Sequence, residues 1–396
     1  MMSGMISSIC AVLATALAAT LALLLPIREA EARTVLTASG PLAVETVAGG
    51  LEYPWGMAVL PDGKVLVTER PGRLRIVSAD GTLSAPLKGV PDVFAEEERG
   101  LIGLFSKGQG GLLDVALDPD FGANRLIYLS FAEAGEDGAS STVARARLRE
   151  DRTGLEELDV IFRQEPKMGG SKHFGSRLAF APDGTLFITT GERFRFDPAQ
   201  DLGSHLGKVI RIRPDGSVPE DNPFVGKSGA RPEIWSYGHR NIEAAAIHPE
   251  TGALWIGEMG PSGGDELNVP EAGGNYGWPL VSWGDHYSGR EIPDPPSRPD
   301  LKGSRHQWTP VISPSGMLFY QGDAFPAWQG DLLIGSLTQE ALVRVRLENG
   351  QVSGEEKIGM GARIRDVTEA GDGTLYLLTD EAQGNLLRIV PAKPPL

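Results

Sequence analysis

The chain has 396 residues, of which 41% are hydrophobic and 22% charged, a composition typical of a globular protein with a large buried core. Its formal charge of −15 argues against nucleic acid or an anionic membrane surface as a partner, because the electrostatic interaction would oppose binding. The 51 glycines and 29 prolines are spread along the chain, a frequency of turn residues that suits many short strands.

The N-terminal segment has the pattern of a secretory signal peptide. A long apolar run is followed by the small-x-small sequence Ala-Glu-Ala at positions 30–32, directly before Arg33. We therefore predict that residues 1–32 are removed on export, which would leave a periplasmic or secreted protein with no stable membrane association. The first residues contain no Lys or Arg, so a retained membrane anchor stays open as an alternative. Cys10, the only cysteine, lies in this segment, so the mature chain would contain no disulfide.

A recurring phrase spans the rest of the chain, with a Pro/Gly-Asp-Gly type turn followed by a short strand of β-branched or aromatic residues. Six copies predict an all-β fold, a six-bladed β-propeller with one four-stranded antiparallel sheet per blade, as a single domain over residues 33–396. No long stretch of the mature chain shows a helical period without an interrupting Gly or Pro. The copies occupy residues 60–70, 118–131, 181–193, 248–260, 325–337 and 370–380.

Polar residues at the ends of inner propeller strands meet at a central channel, although they are far apart in sequence. His173 directly precedes one repeat strand, and imidazole is the side chain best suited to take a proton near neutral pH. A solvated or backbone-bonded histidine is the alternative interpretation. The stretch “SYGHRN” places His239, Arg240 and Asn241 between two apolar runs, where they form either a polar turn or part of the same cleft.

Two further groups indicate ion binding. Glu258, Asp265 and Glu266 lie in a glycine-rich loop, which suits the oxygen ligation that Ca²⁺ prefers, although the spacing fits no EF-hand and a solvated acidic loop is the alternative. Arg363 and Arg365 alternate with apolar residues and so share one face of a predicted strand. Two guanidinium groups on one face suggest a recess for a multiply anionic ligand, and salt bridges to local acids are the alternative.

Together, these phrases resemble the soluble PQQ-dependent sugar dehydrogenases, the family that includes soluble glucose dehydrogenase and the aldose sugar dehydrogenases. The resemblance implies a six-bladed propeller with pyrroloquinoline quinone (PQQ) across the top of the channel, held against a Ca²⁺ ion. The phrases that carry it follow one another along nearly the whole mature chain: “YPWGMAVLPDGKVLVTERPGRLRIV”, “GQGGLLDVALDPDF”, “HFGSRLAFAPDGTLFITTGER”, “GKVIRIRPDGSVPEDNPF”, “IWSYGHRN”, “GDELN” with “GGNYGWP”, and “RIRDV”.

The resemblance also implies roles for individual residues. His173 takes the position of the general base that removes the proton of the sugar C1 hydroxyl while the hydride passes to the quinone. Arg240 and Asn241 match a pair that contacts the quinone, with Arg240 placed to stabilise negative charge on the quinone oxygen, and His239 is left as structural support. The remaining implied contacts are Gln109 to the sugar, Asp265, Arg363 and Arg365 to the cofactor, the carbonyls of Gly260 and Pro261 to the active-site Ca²⁺, and Glu266 and Tyr276 to a second, structural Ca²⁺.

Four positions depart from the family pattern. Thr338 stands where the family has a cofactor-contacting lysine, and Val311 stands where it has a hydroxyl residue. Met259 and Lys172 replace a cofactor-contacting glutamine and a substrate-contacting aspartate of soluble glucose dehydrogenase. Loss of a charge-assisted contact from the lysine would weaken cofactor binding by about 1.5–3 kcal/mol if nothing replaces it.

The segment 97–107, which mixes charged and apolar residues, is an addition to the family pattern beside Gln109. We predict that it forms a lid over the substrate entrance, and an outward surface loop is the alternative.

The resemblance implies an exported quinoprotein that oxidises an aldose at C1 to a lactone and passes the electrons to an external acceptor. Two other functions stay open. A Ca²⁺-dependent lactonase-like hydrolase would need carboxylate or amide side chains from several blades at one metal ion. A non-catalytic sugar- or protein-binding propeller is favoured by Thr338 and Val311 and opposed by His173 and the arginines.

Overall fold

The computed structural model describes residues 32–95, 97–99 and 105–392, with the side chains of 97–99 and 105–107 left out. Apart from Ala32, the predicted signal peptide with Cys10 therefore lies outside the described residues. In this part of the chain no helix is long and apolar enough to cross a membrane.

The described strands form six antiparallel sheets, arranged as the blades of a propeller, and one separate hairpin. In chain order they are β1 (Arg33–Thr37) and β2 (Gly40–Leu51) of blade 6; β3 (Pro54–Val59), β4 (Val65–Glu69) and β5 (Arg73–Val77) of blade 1; β6 (Glu97–Arg99) and β7 (Phe105–Lys107), the hairpin; β8 (Leu112–Leu117), β9 (Leu126–Gly135), β10 (Gly138–Leu148) and β11 (Leu155–Arg163) of blade 2; β12 (Gly175–Phe180), β13 (Leu186–Thr190), β14 (Lys208–Ile212) and β15 (Ile234–Tyr237) of blade 3; β16 (Ile242–Ile247), β17 (Leu254–Glu258), β18 (Asp265–Asn268) and β19 (His306–Trp308) of blade 4; β20 (Pro314–Phe319), β21 (Leu332–Ser336), β22 (Ala341–Glu348) and β23 (Gln351–Gly359) of blade 5; and β24 (Ile364–Glu369), β25 (Leu375–Thr379) and β26 (Gly384–Pro391) of blade 6. Helix among the described residues is limited to one α-turn, α1 (Phe121–Asn124), and the 3₁₀ segments Asp197–Gln200, Pro295–Ser297 and Pro326–Trp328.

The ring is closed by pairing the two ends of the propeller domain within one blade. Strand β2 pairs antiparallel with β26, so blade 6 combines strands from the start and the end of the described chain. The innermost strands β3, β8, β12, β16, β20 and β24 contact one another in that order, and β24 contacts β3. The inner strands, each of which precedes a recurring turn, are therefore arranged around a common axis.

The core lies between neighbouring blades. In the second strand of a blade, such as Val65–Val67 of β4, side chains on both faces are buried, which explains its nearly continuous apolar sequence. Between blades 2 and 3, Tyr128 and Val143 pack against Leu186 and Ile188. Full burial of such a side chain stabilises the fold by about 1.5–3 kcal/mol.

The prediction of a six-bladed all-β propeller is confirmed. Each recurring phrase contains the turn between the first and second strand of a blade. Blades 2 to 5 have four strands each, blade 6 has five, and blade 1 has three among the described residues. Within the predicted lid 97–107, the described parts pair as the hairpin β6–β7, with Glu97 opposite Lys107. The rest of that segment lies outside the described residues, so the lid stays a prediction.

Candidate active site

Bulges in the innermost strands aim polar side chains into the channel. All six inner strands show a register shift close to their first residue, for example between Leu112 and Val115 in β8 and between Gly175 and Leu178 in β12. A bulge turns a side chain out of the regular alternation, and bulges are common next to active sites. Ionisable residues therefore reach the channel from strands that are otherwise apolar.

An ionic cluster closes the channel below its mouth. Arg177 of blade 3 contacts Asp114 of blade 2 at 3.2 Å and Asp366 of blade 6 at 3.0 Å, and its guanidinium lies 4.1 Å from the centre of the Trp55 ring. All these side chains are buried. Gly316 leaves room for the cluster, because a Cβ there would lie 1.8 Å from the Asp366 carboxylate. The cluster therefore joins the inner strands of blades 2, 3 and 6.

His173 and Glu192 form a buried pair at the mouth of the channel. His173 precedes β12 and Glu192 follows β13 of the same blade, and Nδ1 of His173 lies 2.8 Å from Oε1 of Glu192. Because a carboxylate only accepts hydrogen bonds, Nδ1 carries the proton and Nε2 keeps its lone pair. Burial, and to a smaller extent the Arg240 charge, lower the pKa of His173 below its ordinary value of 6.5. A neutral imidazole of this tautomer is ready to accept a proton.

The backbone around His173 is strained and tightly held. His173 has a φ of 54° and Ser176 a φ of 90°, values that non-glycine residues rarely adopt. Strain of this kind is stored at functional sites when the surroundings fix it. The fixing contacts come from Gln109, whose carboxamide oxygen accepts the His173 N–H at 2.6 Å, and from Arg193, whose N–H donates to the His173 carbonyl at 3.3 Å. Gln109 is therefore held against the His173 backbone, and among the described residues its NH₂ group has no hydrogen-bond partner.

Arg240 lies in the same cleft, across from His173. Its side chain donates to the carbonyls of Met259 at 2.7 Å and Gly260 at 2.8 Å, and to the Tyr287 hydroxyl at 3.2 Å. The two predicted functional residues are tied together through Glu192, whose N–H donates to the Arg240 carbonyl at 2.9 Å. The Arg240 side chain of “SYGHRN” is thus held close to the His173–Glu192 pair, and its predicted role toward the quinone stays a prediction.

Asn241 has a different environment from Arg240. Its carboxamide oxygen accepts the Gly175 N–H at 3.1 Å, and its NH₂ group donates to Glu243 at 2.9 Å. Asn241 is 1% exposed. In this structure it joins blades 3 and 4, and its predicted contact with the quinone stays a prediction.

Arg363 and Arg365 converge as the sequence predicted. Arg363 precedes β24 and donates to Oδ2 of Asp380 at 2.8 Å, and Arg365 approaches the same oxygen at 3.2 Å. Arg365 also contacts Glu243 at 2.6 Å. Burial alone would raise the pKa of Asp380, but the charges of Arg365, Arg363 and Arg70 hold it at about 2. The local salt bridges of the alternative interpretation are therefore present, and the anion recess formed by these arginines stays a prediction.

The arginines of the cleft have donor groups left over for an anionic ligand. Within the described part of the chain, the buried side-chain nitrogens without a hydrogen-bond partner include Nε of Arg70, Arg240 and Arg365. Buried polar groups without partners are rare in native proteins and indicate a missing ligand or water. The guanidinium of Arg240 hydrogen-bonds carbonyls and a hydroxyl, with no carboxylate on it. These donors fit a ligand with several carboxylates, as PQQ has.

Asp265 organises the loop that carries the predicted calcium ligands. Its carboxylate accepts the N–H groups of Gly260 at 2.8 Å, Ile312 at 2.8 Å and Ser313 at 2.6 Å. Burial raises the pKa of Asp265 to about 6, although these three amides pull it downward. Asp265 thereby fixes the backbone of Gly260 and Pro261 against blade 5.

A second acidic cluster lies deeper in blade 4. Asn268 donates to Glu258 at 2.8 Å and to Glu266 at 2.9 Å, while its own carbonyl oxygen has no partner in the described structure. Desolvation and the Glu258 charge raise the pKa of Glu266 to about 8. A cavity of about 20 Å³ adjoins both glutamates and Tyr276, enough for one water molecule or ion. The two carboxylates beside this cavity are oxygen groups of the kind that a hard cation prefers.

The described residues contain no group of three or more His, Cys, Asp or Glu side chains placed to hold a metal ion. A Ca²⁺ ion here would therefore depend on carbonyl oxygens. The Tyr276 hydroxyl already donates to the Val269 carbonyl and accepts the Glu271 N–H at 3.0 Å, so only the main chain of Tyr276 is available as a ligand.

Two of the four departures from the family pattern contact each other, and the other two have separate partners. The Thr338 hydroxyl donates to the Val311 carbonyl at 3.0 Å, so these two departures contact each other on blade 5. The Lys172 ammonium lies 5.5 Å from the centre of the Phe194 ring, and Met259 Sδ lies 3.9 Å from the Asn241 amide.

Three site residues were not identified from the sequence. Arg70 and Asp380 directly follow the second strand of a blade, in the phrases “TER” and “LTD”, and Glu192 comes two residues after the end of β13, in “TGER”. A charged residue at the same place in several repeats was the available signal, because equivalent strand ends point to the same side of the ring.

Comparisons with known proteins show the family of the chain. A family model described as Glucose / Sorbosone dehydrogenase matches residues 51–388. The aldose sugar dehydrogenase YliI of Escherichia coli strain K12 is 44% identical over 356 residues, which cover 88% of this chain and 92% of YliI. The chain therefore belongs to the glucose/sorbosone dehydrogenase family, as the sequence resemblance indicated.

Solved structures similar to this chain include two aldose sugar dehydrogenases. The crystal structure of the soluble aldose sugar dehydrogenase of E. coli, in the apo-form, has a TM-score of 0.83 at 43% identity and covers 89% of this chain and 100% of its own. The PQQ-bound form of aldose sugar dehydrogenase from Streptomyces coelicolor has a TM-score of 0.68 at 30% identity and covers 88% of this chain and 98% of its own.

Proposed function

We propose that this protein is an exported, PQQ-dependent dehydrogenase that oxidises aldoses at C1 to lactones and passes the electrons to an external acceptor. Family membership supports the class of reaction, and similarity to a PQQ-bound relative supports the cofactor. The observation that carries the proposal is the buried His173–Glu192 pair, which faces Arg240 across the cleft.

The chain's own residues would activate the sugar. Nε2 of His173 accepts the proton of the C1 hydroxyl, and Glu192 stabilises the resulting imidazolium through the Nδ1–H hydrogen bond. Gln109, held against the His173 backbone, orients the sugar with its carboxamide NH₂ group. The rigid backbone of His173 keeps the base in place while the proton is transferred.

The cofactor would be held by Arg240, Arg363 and Arg365, with Asp380 fixing the two arginines of blade 6. When bound, PQQ supplies the electron-accepting quinone that takes the hydride from C1. Arg240, which is buried, would supply positive charge that stabilises the reduced quinone. Ca²⁺ at the carbonyls of Gly260 and Pro261 would add a second positive charge, and Glu266 with the Tyr276 carbonyl would hold a structural ion.

Reconstitution tests the proposal. Purified protein is incubated with PQQ and CaCl₂, and glucose oxidation is followed with an artificial electron acceptor and by detection of the lactone. We expect cofactor-dependent turnover in the wild type and PQQ binding without turnover in H173A. A wild-type protein that binds no PQQ would refute the dehydrogenase assignment. For export, the N-terminus of the protein recovered outside the cytoplasm is expected to begin at Arg33.

The lactonase alternative has no supporting observation in the described residues, where the channel holds an arginine-centred ion cluster in place of a group of metal-binding side chains. The binding-protein alternative predicts PQQ-independent sugar binding and no turnover, so the same reconstitution separates it.

A further inference from the structure

Arg70 lies at the top of blade 1, directly after β4, and the sequence did not identify it as a functional residue. Its N–H donates to the Tyr53 carbonyl at 3.1 Å, and its carbonyl accepts the Leu112 N–H at 3.1 Å. The Tyr53 N–H in turn donates to the carbonyl of Glu381, the residue after Asp380. Arg70 is thus fixed between blade 2 and the turn of blade 6 that carries the anion recess.

The guanidinium of Arg70 is desolvated without being neutralised by a hydrogen-bonded acid. One amino group donates to the Gly108 carbonyl at 2.8 Å, and the group lies 4.9 Å from the centre of the Tyr53 ring. Its Nε is buried and has no partner. Among the described side chains, no carboxylate lies within ion-pair distance of it. A partly buried guanidinium of this kind retains capacity to bind an anion.

The backbone contacts through Tyr53 place Arg70 next to the blade 6 turn, and the charges of the two groups affect each other. Burial and then the Arg365 charge lower the pKa of Arg70, while Asp380 and Glu243 raise it. Arg70 in turn helps to keep Asp380 ionised. Three guanidinium groups, those of Arg70, Arg363 and Arg365, therefore share two carboxylates, which leaves net positive charge in the recess.

We propose that Arg70 is a further cofactor-binding residue, which donates to a carboxylate of PQQ from blade 1 while Arg363 and Arg365 bind from blade 6. The assignment rests on the proposed function. It also accounts for Thr338, which has no positive charge and lies beside Leu337, the residue whose carbonyl accepts a hydrogen bond from Arg363 at 3.3 Å. Arg70 supplies the cation on the opposite side of the recess.

The affinity for PQQ tests this assignment. PQQ is titrated in the presence of Ca²⁺ into wild type, R70Q, R70K and the control R149Q, and the dissociation constant is taken from the spectrum of the bound quinone at two salt concentrations. Arg149 is an exposed arginine paired with Asp151, so R149Q makes the same charge change at a remote surface. We expect R70Q to bind about 10- to 100-fold more weakly with a shallower salt dependence, R70K to be affected less, and R149Q to match the wild type within about twofold.

A second measurement applies to the wild-type protein alone and does not depend on the folding of a variant. Arginines are modified with phenylglyoxal with and without PQQ, and the peptides that contain Arg70 and Arg149 are quantified by mass spectrometry. Protection of Arg70 and not of Arg149 supports the proposal. Equal modification of Arg70 in both samples, or an R70Q variant with wild-type affinity, overturns it. Failure of the wild type to bind PQQ would instead refute the proposed function itself.

Discussion

Two buried histidine–glutamate pairs occupy equivalent places in neighbouring blades. They differ in the contacts of one ring nitrogen of the histidine. His173 and His239 each precede an inner strand, and each directs Nδ1 at a glutamate from the second strand end, Glu192 at 2.8 Å and Glu258 at 3.1 Å. In both pairs the second carboxylate oxygen accepts backbone N–H groups.

The difference lies at Nε2. In His239 this nitrogen is 2.9 Å from the Ser236 hydroxyl, and the ring stacks on Tyr276 with centroids 4.8 Å apart. In His173, Nε2 has no hydrogen-bond partner among the described residues, and the neighbouring Phe194 meets the ring edge-on at 5.0 Å. The same local arrangement thus gives a saturated structural histidine in one blade and an open base in the next.

Replacement of His173 is expected to have the largest effect on the reaction. H173A removes the proton acceptor and should lower kcat by about 10²- to 10⁴-fold while PQQ affinity changes little, because His173 contributes no donor to the recess. Steady-state kinetics and a PQQ titration of the same preparation measure both quantities. If H173A retained near-normal kcat, the base would have to be another group.

The Glu192 variant tests how the tautomer is set. In E192Q, the amides of Arg195 and Phe196 require an oxygen at Oε2, so the new NH₂ group faces Nδ1 of His173. His173 must then carry its proton on Nε2, and kcat should fall by about 10²- to 10⁴-fold at unchanged PQQ affinity. Turnover of E192Q close to that of the wild type would show that the tautomer does not limit the reaction.

Replacement of His239 is expected to lower stability more than turnover, in contrast to replacement of His173. H239A leaves the buried Ser236 hydroxyl without its partner and removes one of the donors to Glu258, which costs about 1–3 kcal/mol of the free energy of unfolding, while kcat should fall far less than in H173A. Urea unfolding of H239A and H173A, compared with their kcat values, measures the contrast. A loss of turnover in H239A as large as that in H173A, without loss of stability, would contradict it.

The smallest expected effect is a shift in the pH dependence of kcat/KM, and it is specific to the surroundings of His173. Turnover requires neutral His173, whose pKa is lowered by burial and by Arg240, so the acidic limb of kcat/KM should lie below pH 6.5. In R240Q the loss of the neighbouring charge should raise this pKa and move the limb to higher pH, whereas R149Q should leave it in place. If the acidic limb moved to lower pH in R240Q, the Arg240 charge would not be what lowers the pKa of His173.

The fold could be predicted from sequence because each blade repeats a local signal. A recurring turn sequence followed by an apolar strand can be recognised without knowing which distant residues contact it. The convergence of Arg363 and Arg365 was also predictable, although it depends on a bulge between Ile364 and Asp366 as well as on strand alternation.

The pairing within the site could not be predicted in the same way. Both His173 and His239 precede inner strands, so their sequence positions are equivalent, and only the side chains around Nε2 distinguish them. Those neighbours, such as Ser236 and Tyr276, are set by the register between strands and loops. Asp380 and Arg70 were missed for the same reason, since their partners come from other strands of the ring.

The protonation state of His173 tests the central claim most directly. Long-range ¹H–¹⁵N NMR of ¹⁵N-histidine-labelled protein, with H173A and H239A to assign two of the six histidines, reports the tautomer and pKa of each ring. The structure predicts that His173 is neutral at pH 7, with the proton on Nδ1 and Nε2 unprotonated, and that it titrates below pH 6.5. An imidazolium at pH 7, or a proton on Nε2, would contradict the assignment of His173 as the base.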